Sequence, residues 1–253
     1  MAQRERLESI RQILEQEKRL TVSDMSKAFG VTEETIRRDF EKLENKGILT
    51  RVHGGAILNS ERVTENIDYL MRERHNSREK QIIGRLAASV IPDQAVIGAD
   101  ASTTVMEAIR LLKNRSGITV LTNSVQIIRE MGQAAFNVVS TGGVVNKSTS
   151  SMQGKIVRTV LSDYFVDVIL IGCKALTLDG IFDSNEEEGE IKKMLVERGQ
   201  KVILMADHTK FDRVAFVKVL DLKNLDMLIT DREPSQAWKD LCRQKNVRLI
   251  YPE

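Results

Sequence analysis

The sequence predicts an α/β chain in two parts: a small helical N-terminal unit closed by a short β-hairpin, then a larger unit built on an open parallel sheet. Three observations carry this. Residues 1–58 hold three helical stretches followed by two short β-prone runs around Gly54-Gly55. From Ser77 onward, short apolar runs alternate with helical stretches, the pattern of a parallel sheet covered on both faces. Between the two, residues 59–76 (NSERVTENIDYLMRERHN) are polar, charged and poorly periodic. At roughly 100–200 residues per domain, 253 residues accommodate the division. The expected boundaries are 1–58, a linker over 59–76, and 77–253.

Leu7, Ile10, Ile13 and Leu14 give residues 3–17 the spacing of an amphipathic helix. Ser23 is the expected N-cap of a short second helix, with Met25, Ala28 and Phe29 inward and Gly30 ending it. Thr32 is the candidate N-cap of a third helix, where Glu33 and Glu34 suit the positive end of the helix dipole. That helix runs to about 45 and stops at Gly47, a residue able to take the left-handed C-terminal cap. Residues 48–52 and 56–58 form the hairpin. In the second part, helices are expected near 78–90, 103–112, 125–131, 155–161, 187–198 and 235–245. Strands are expected at 95–97, 118–121, 137–139, 166–171, 201–205, 215–220 and 227–229.

Composition removes several classes of function. Lys and Arg number 38 against 36 Asp and Glu, with 42% hydrophobic residues, so the chain is globular and not disordered. No run approaches the roughly 18 apolar residues of a bilayer span. The start MAQRERLESIRQ has charges where a signal peptide is apolar, so a cytoplasmic location is expected. Cys173 and Cys242 offer neither a disulfide framework nor a CxxC pair, and His53, His75 and His208 are too scattered for a metal cluster. Walker A and GxGxxG motifs are absent, so no metal or cofactor is expected.

On the third helix, Ile36, Phe40 and Leu43 define a buried stripe. Glu34, Arg38, Glu41 and Lys42 face the opposite way, with Thr35 and Arg37 on the flanks. A helix presenting Thr and Arg outward, after a short helix and a Gly turn, has the geometry of a major-groove reader. Arg38 suits a guanine edge and Thr35 a thymine methyl or a phosphate. Arg37, Lys46, Arg51 and His53 would be phosphate contacts around the helix and the Gly54-Gly55 turn. A charged outer face is more often merely solvated. Eleven Lys+Arg against ten Asp+Glu in residues 1–58 mark no basic domain.

The stretch Thr21-Val22-Ser23, Gly30 to Leu43 with its Thr35-Ile36-Arg37-Arg38-Asp39 segment, and Gly47 to Ala56 with Arg51-Val52-His53-Gly54-Gly55-Ala56, resembles the winged helix-turn-helix of the DeoR family of bacterial sugar-metabolism regulators. The resemblance implies that double-stranded operator DNA is contacted by Ser23, Thr32, Thr35, Arg37, Arg38, Lys42, Arg51, His53, Gly54 and Gly55.

In the second part, Gly98-Ala99-Asp100-Ala101-Ser102-Thr103-Thr104 stands between a strand and a helix, and free N–H groups beside three hydroxyls make an anion cradle. A carboxylate repels phosphate, so Asp100 is better suited to accept from sugar hydroxyls. Thr122-Asn123-Ser124, Thr141-Gly142-Gly143 and Asp207-His208-Thr209-Lys210 mark further strand ends, where ligands of open α/β sheets bind. Lys147, Lys192 and Lys210 are the cations available to such a site.

This part resembles the same family's sensor domain, related in fold to ribose-5-phosphate isomerase, through 100–104, 121–124, 142–143, 188–192, 206–211 and 228–231. The resemblance implies a phosphorylated sugar or polyol effector lined by Asp100, Ser102, Thr103, Thr104, Asn123, Gly142, Gly143, Lys192 and Lys210. The chain departs from the family pattern at Ser102 (usually Gly), Gly172-Cys173 (Gly-Ala), Ala175 (Gly) and Gly189 (Ala). A Cβ at 102 narrows the loop if positive φ is needed there, and an interior Gly costs a helix about 1 kcal/mol against Ala.

The function these readings give is a sequence-specific transcriptional repressor of a sugar or polyol catabolic operon. It would be retuned by a sugar phosphate and assembled as a dimer or tetramer, because one small winged unit reads few base pairs. One alternative is a sugar-phosphate isomerase or deaminase with a DNA-binding appendage, in which Asp100, Glu188, Asp207 and Lys210 supply the acid, base and cation. Another is a regulator whose sensor domain has lost its ligand. A further alternative makes Cys173 a nucleophile or redox sensor, its pKa lowered by Lys174.

Overall fold

The computed structural model describes residues 3–17, 19–45, 48–52, 54–58 and 69–252. The chain divides into two units, Met1–Arg62 and Val63–Glu253.

In the first unit, α1 (Gln3–Glu17), β1 (Arg19–Thr21), α2 (Val22–Phe29) and α3 (Glu33–Asn45) precede the strands β2 (Leu49–Val52) and β3 (Gly55–Leu58). Ile10, Leu14, Met25, Ile36, Phe40, Leu43 and Leu49 form one core. The cap of α2 is Thr21, not the expected Ser23: its side chain accepts from the Asp24 amide at 3.0 Å, while Ser23 is exposed in the first turn. Thr21 wins because it also ends β1, so the backbone leaves the strand already extended, as an N-cap requires. Ala28, expected inward, is exposed; Met25 is buried. The Thr32 hydroxyl accepts from the Thr35 amide at the start of α3. Gly47, the expected C-cap, lies outside the described residues.

The three strands pair antiparallel in the order β1-β3-β2. Gly55 is buried there: a Cβ would stand 2.2 Å from the Leu20 carbonyl oxygen, so only glycine allows β3 this close to β1. A buried ion pair crosses the core, from Arg6 Nε on α1 to Asp39 Oδ2 on α3 at 2.6 Å, with Gln3 adding a hydrogen bond to the same carboxylate.

The second unit is a seven-stranded parallel sheet. Its strands are β4 (Val96–Ala99), β5 (Thr119–Thr122), β6 (Asn137–Ser140), β9 (Val166–Gly172), β12 (Gly199–Met205), β14 (Met227–Ile229) and β15 (Arg248–Ile250), in the order β15-β14-β12-β9-β4-β5-β6. Apolar residues on successive strand positions point to opposite faces. Leu170 joins the core under α5 (Ser77–Val90), α6 (Thr103–Leu111) and α7 (Val125–Met131), while Ile169 and Ile171 join the core under α8 (Lys155–Asp163), α9 (Glu186–Glu197) and α10 (Gln236–Gln244). The chain runs from β4 outward to β6, then returns to β9 on the other side of β4. The strand order therefore reverses between β4 and β9, the place where open α/β sheets leave a crevice at their carboxyl ends.

Several elements differ from the sequence expectation. The hairpin β7 (Val144–Asn146) and β8 (Ser151–Gln153) and the strands β10 (Ala175–Thr177) and β11 (Gly180–Asp183), which form a small antiparallel sheet with β13 (Val217–Leu220), are not in the sequence expectation; their runs of three or four residues are too short to stand out. The run at 215–220 belongs to this small sheet and not to the parallel one. Gly189 does not interrupt α9; a Cβ there would meet Val219 Cγ2 at 3.3 Å, so its absence lets β13 pack closely. The expected linker is ordered in its second half. Tyr69–Arg74 form the helix α4, with Tyr69 buried and its amide donating to the Ser148 carbonyl, whereas 59–68 lie outside the described residues.

Removing one member of a buried ion pair strands the other. Asp39→Ala is expected to lower the stability of the N-terminal unit by about 3 kcal/mol, and Arg6→Met with Asp39→Leu to recover most of it. Hydrogen exchange of α3 amides in the full chain measures both; unchanged exchange in the single variant would show that the pair does not fix α3.

Candidate functional sites

Burial of Ile36, Phe40 and Leu43 turns Arg37, Arg38, Glu41 and Lys42 outward. Arg37 Nη2 lies 2.7 Å from Glu33 Oε2 and Arg38 Nε 3.3 Å from Glu34 Oε1, both one helical turn apart. The Arg38 side chain is 72% exposed, and pairs of this kind contribute a few tenths of a kcal/mol. Both guanidiniums therefore exchange partners cheaply for a phosphate or a base edge. Thr35 is half-buried, its hydroxyl 2.9 Å from that of Thr32, which puts two hydroxyls at the N-terminus of α3. Ser23 is exposed on α2 and Gly54 on the β2–β3 turn, but Gly55 faces inward and serves packing. Arg51 is anchored to α3: its Nε and amide donate to Glu44 at 2.7 and 2.9 Å, fixing the hairpin to the helix end. His53 and Lys46 lie outside the described residues.

In the larger unit, the polar residues expected at strand ends gather at the carboxyl edge of the sheet. Ser102 caps α6 at φ −77°, so a side chain costs nothing there, and its hydroxyl accepts from the Thr104 amide. Its partner in space is Gly172, where a Cβ would stand 2.1 Å from Ser102 Oγ. The serine at 102, where the resemblance implies glycine, fills the space left open at 172. Thr103 and Thr104 are buried in the first turn of α6.

Asp100 is occupied internally. Its Oδ1 accepts from the Ser102 amide at 2.9 Å and its Oδ2 from the Gly172 amide at 3.0 Å, tying the ends of β4 and β9 together. Lys192, expected as a mobile cation, is buried beneath it, 3.2 Å from Asp100, 3.0 Å from Asp183 and 3.9 Å from Glu188. Burial opposes its charge, but Asp183, Asp100 and Glu188 together raise its pKa above the usual lysine range. Glu188 Oε1 accepts from Ser151 Oγ at 2.5 Å and Gln153 Nε2 at 2.8 Å, bringing β8 into the network.

Among the described residues five buried side-chain oxygens have no hydrogen-bond partner in the protein, those of Tyr69, Gln126 and Thr230 together with Asn123 Oδ1 and Asp207 Oδ2. Asn123 Nδ2 donates to the Met152 carbonyl at 3.1 Å, and Asp207 Oδ1 accepts from the Thr209 amide at 2.9 Å, so each free oxygen is held in place by its fixed sibling. His208 bridges to Asp231 through both its amide (2.6 Å) and Nδ1 (2.9 Å), joining the ends of β12 and β14. Lys210 and Lys174 are half-buried, with no carboxylate at ion-pair distance among the described residues. Gly142 and Gly143 form a half-exposed loop with φ of 64° and 115° after β6. Burial pushes the Cys173 thiol up to about 12, the reverse of the activation expected from Lys174. Among the described residues no group of acids, histidines and cysteines could hold a metal.

The sequence names Lys174 only as a neighbour of Cys173 and Asp231 only within the segment 228–231, and it gives no sign of Asp183. Lys174 and Asp231 had a usable signal, since each follows a strand end; Asp183 ends a strand that periodicity does not reveal.

A short helix, a turn and an arginine-bearing second helix beside a β-hairpin, carried on one chain with an α/β unit whose polar groups converge at a strand-order reversal, define the class of helix-turn-helix regulators with an attached sensor domain. Residues 6–62 match the DeoR-like helix-turn-helix domain and residues 75–232 the DeoR C terminal sensor domain, and the chain belongs to the DeoR family. It is 37% identical over 255 residues, covering 100% of this chain and 98% of the relative, to the HTH-type transcriptional repressor GlcR of Bacillus subtilis (strain 168). It is 30% identical to the HTH-type transcriptional regulator GolR of Listeria innocua, over 92% of each chain. Ribose 5-phosphate isomerase A from Methanocaldococcus jannaschii overlays 54% of this chain and 55% of its own, at 16% identity and a TM-score of 0.40. No helix among the described residues is long and apolar enough to cross a membrane.

The complementarity of 102 and 172 is open to a double-mutant cycle. Gly172→Ala is expected to cost about 1–3 kcal/mol through overpacking, and Ser102→Gly in the same chain to recover most of it. Additive losses in thermal unfolding would contradict the contact.

Proposed function

We propose that this protein is a sequence-specific DNA-binding repressor of a sugar or polyol catabolic operon, acting in the cytoplasm as a homo-oligomer and modulated by a phosphorylated sugar. The observation that carries the reading is the outward face of α3. It offers Arg37 and Arg38 in weak, exchangeable surface pairs, with Lys42 exposed on the same face, beside the hydroxyls of Thr32 and Thr35. Arg38 reads a guanine edge, while Ser23, Arg37, Arg51 and the Gly54 turn lie against phosphates. The repressor name of the 37% identical relative supports the direction of regulation.

The effector sits at the carboxyl edge of the sheet. Its phosphate meets Lys210 and the first turn of α6, and its hydroxyls donate to Asn123 Oδ1 and Asp207 Oδ2, two of the five buried oxygens without protein partners among the described residues. Asp100 and Lys192 hold the loops in place from below and do not line the site directly. The chain is not an enzyme in this reading. Asp100 and Glu188, two of the acids an isomerase would use, are engaged by Lys192, Ser151, Gln153 and backbone amides.

Arg38→Ala is expected to weaken operator binding by roughly 1–3 kcal/mol and relax one base preference, whereas Arg51→Ala weakens all sequences alike and flattens the salt dependence. Fluorescence anisotropy on operator and scrambled duplexes distinguishes them. An Arg38→Ala protein with unchanged affinity and preference would remove α3 from the groove. Lys210→Ala is expected to keep operator affinity without effector while losing the response to a panel of sugar phosphates, footprinted with and without each compound. Loss of operator binding in the folded variant would instead assign these loops to assembly.

A further inference from the structure

Asn76, between α4 and α5, departs from a local rule. It holds the N-cap position of α5, where asparagine is favoured because its side chain caps, yet this one makes no capping hydrogen bond. Its backbone is left-handed at φ 52°, a conformation easiest for glycine and next for asparagine and aspartate. The side-chain amide is spent instead on the loop after β12: Nδ2 donates to Asp207 Oδ1 at 3.3 Å and to Thr209 Oγ1 at 3.2 Å. Glycine would serve the backbone as well, so what asparagine adds is this donor.

The carboxylate it meets is unevenly used. Asp207 Oδ1 accepts from Asn76 and from both the amide (2.9 Å) and the hydroxyl of Thr209. Asp207 Oδ2 is buried and has no partner among the described residues. An unsatisfied oxygen of an ionised group raises the free energy of the arrangement that buries it. Two events relieve it: a hydroxyl donates to Oδ2, or the loop moves until water reaches it, which parts Asp207 and Thr209 from Asn76. A ligand that donates to Oδ2 therefore favours the closed arrangement over the open one, the differential affinity that any switch requires. Lys210 travels with this loop, since its amide donates to the Asp207 carbonyl at 3.0 Å.

On its other side Asn76 is continuous with α4. The buried ammonium of Lys80 on α5 donates to the carbonyls of Arg72 and His75, the second at 2.6 Å, and the Lys80 amide donates to the Asn76 carbonyl at 3.0 Å. The end of α4 and the start of α5 are thus bonded to each other around Asn76. We propose that Asn76 is a positioning residue of the effector site: it fixes Asp207 through Oδ1 so that Oδ2 faces an effector hydroxyl, and a donor on Oδ2 in turn holds the α4–α5 junction closed on the loop 207–210. The proposal rests on the effector reading above and deepens it, by naming how occupancy of that site reaches α4.

The test uses the full chain with ribose 5-phosphate, glucose 6-phosphate and glycerol 3-phosphate as probes. Calorimetry reports binding, and hydrogen exchange at saturation reports amides 69–76. The native chain is expected to bind at least one probe and to show exchange over 69–76 slowed about tenfold or more, as gain of a hydrogen bond to a charged group gives. Asn76→Gly keeps the left-handed backbone without the donor, and Asn76→Asp keeps it while placing a second carboxylate against Asp207. Both are expected to melt close to the native chain, to bind the same probe more weakly, and to show no slowing over 69–76 at saturation. A role confined to backbone geometry would leave Asn76→Gly with the native response. If a probe binds the native chain without slowing 69–76, or if either variant keeps the slowing, the proposal is overturned and the effector reading stands. Variants that bind no probe at about a hundredfold the native Kd would make Asn76 a ligand and overturn the positioning role as well. If no probe binds the native chain, the effector reading falls and this proposal with it.

Discussion

The larger unit is organised around one buried ammonium. Lys192 faces Asp100 at the end of β4, Asp183 at the end of β11 and Glu188 one turn back on its own helix. A charge this deep costs several kcal/mol unless paired, so the elements bearing its partners are constrained to meet at one point. Three carboxylates around one ammonium leave excess negative charge, and amide and hydroxyl donors offset it: Ser102 and Gly172 on Asp100, Ser151 and Gln153 on Glu188. The ends of β4 and β9, the β8 hairpin and α9 are thereby locked where the strand order reverses. The polar groups at the carboxyl edge of the sheet owe their positions to this centre.

The N-terminal unit uses the same device on a smaller scale. Its core is limited, and the Arg6–Asp39 pair fixes the rotation of α3 against α1. That rotation decides which side chains look outward. Asp39 sits beside Arg37 and Arg38 in the segment that identifies the family, and its role is opposite to theirs: it is buried so that they are exposed.

The parallel sheet, its helices and the helix-turn-helix are legible because each buries a regular apolar stripe, period two in Leu170 and its neighbours, three to four in Ile36, Phe40 and Leu43. The strand-end clusters are legible too, since Asn123, Ser102 and Asp207 stand where strands stop. What the sequence conceals is which polar residues face inward. Lys192 and Lys210 are both lysines in polar surroundings; one is buried under three acids, the other half-buried without one. Only long-range pairing with positions 100 and 183 separates them. Likewise Arg72 and Asn76 sit in a segment of linker-like composition, and what orders it is contact with residues 148, 149, 207 and 209.

The proposed regulator joins a base-reading helix to a metabolite site in one chain and reads its operator sequence-specifically through paired units. The direct measurement is selection of bound duplexes from a random pool by the full-length protein at physiological ionic strength. Enrichment of a two-fold symmetric site, with half-sites about one helical turn or a multiple apart, is the predicted result. Retention of all sequences alike would contradict it.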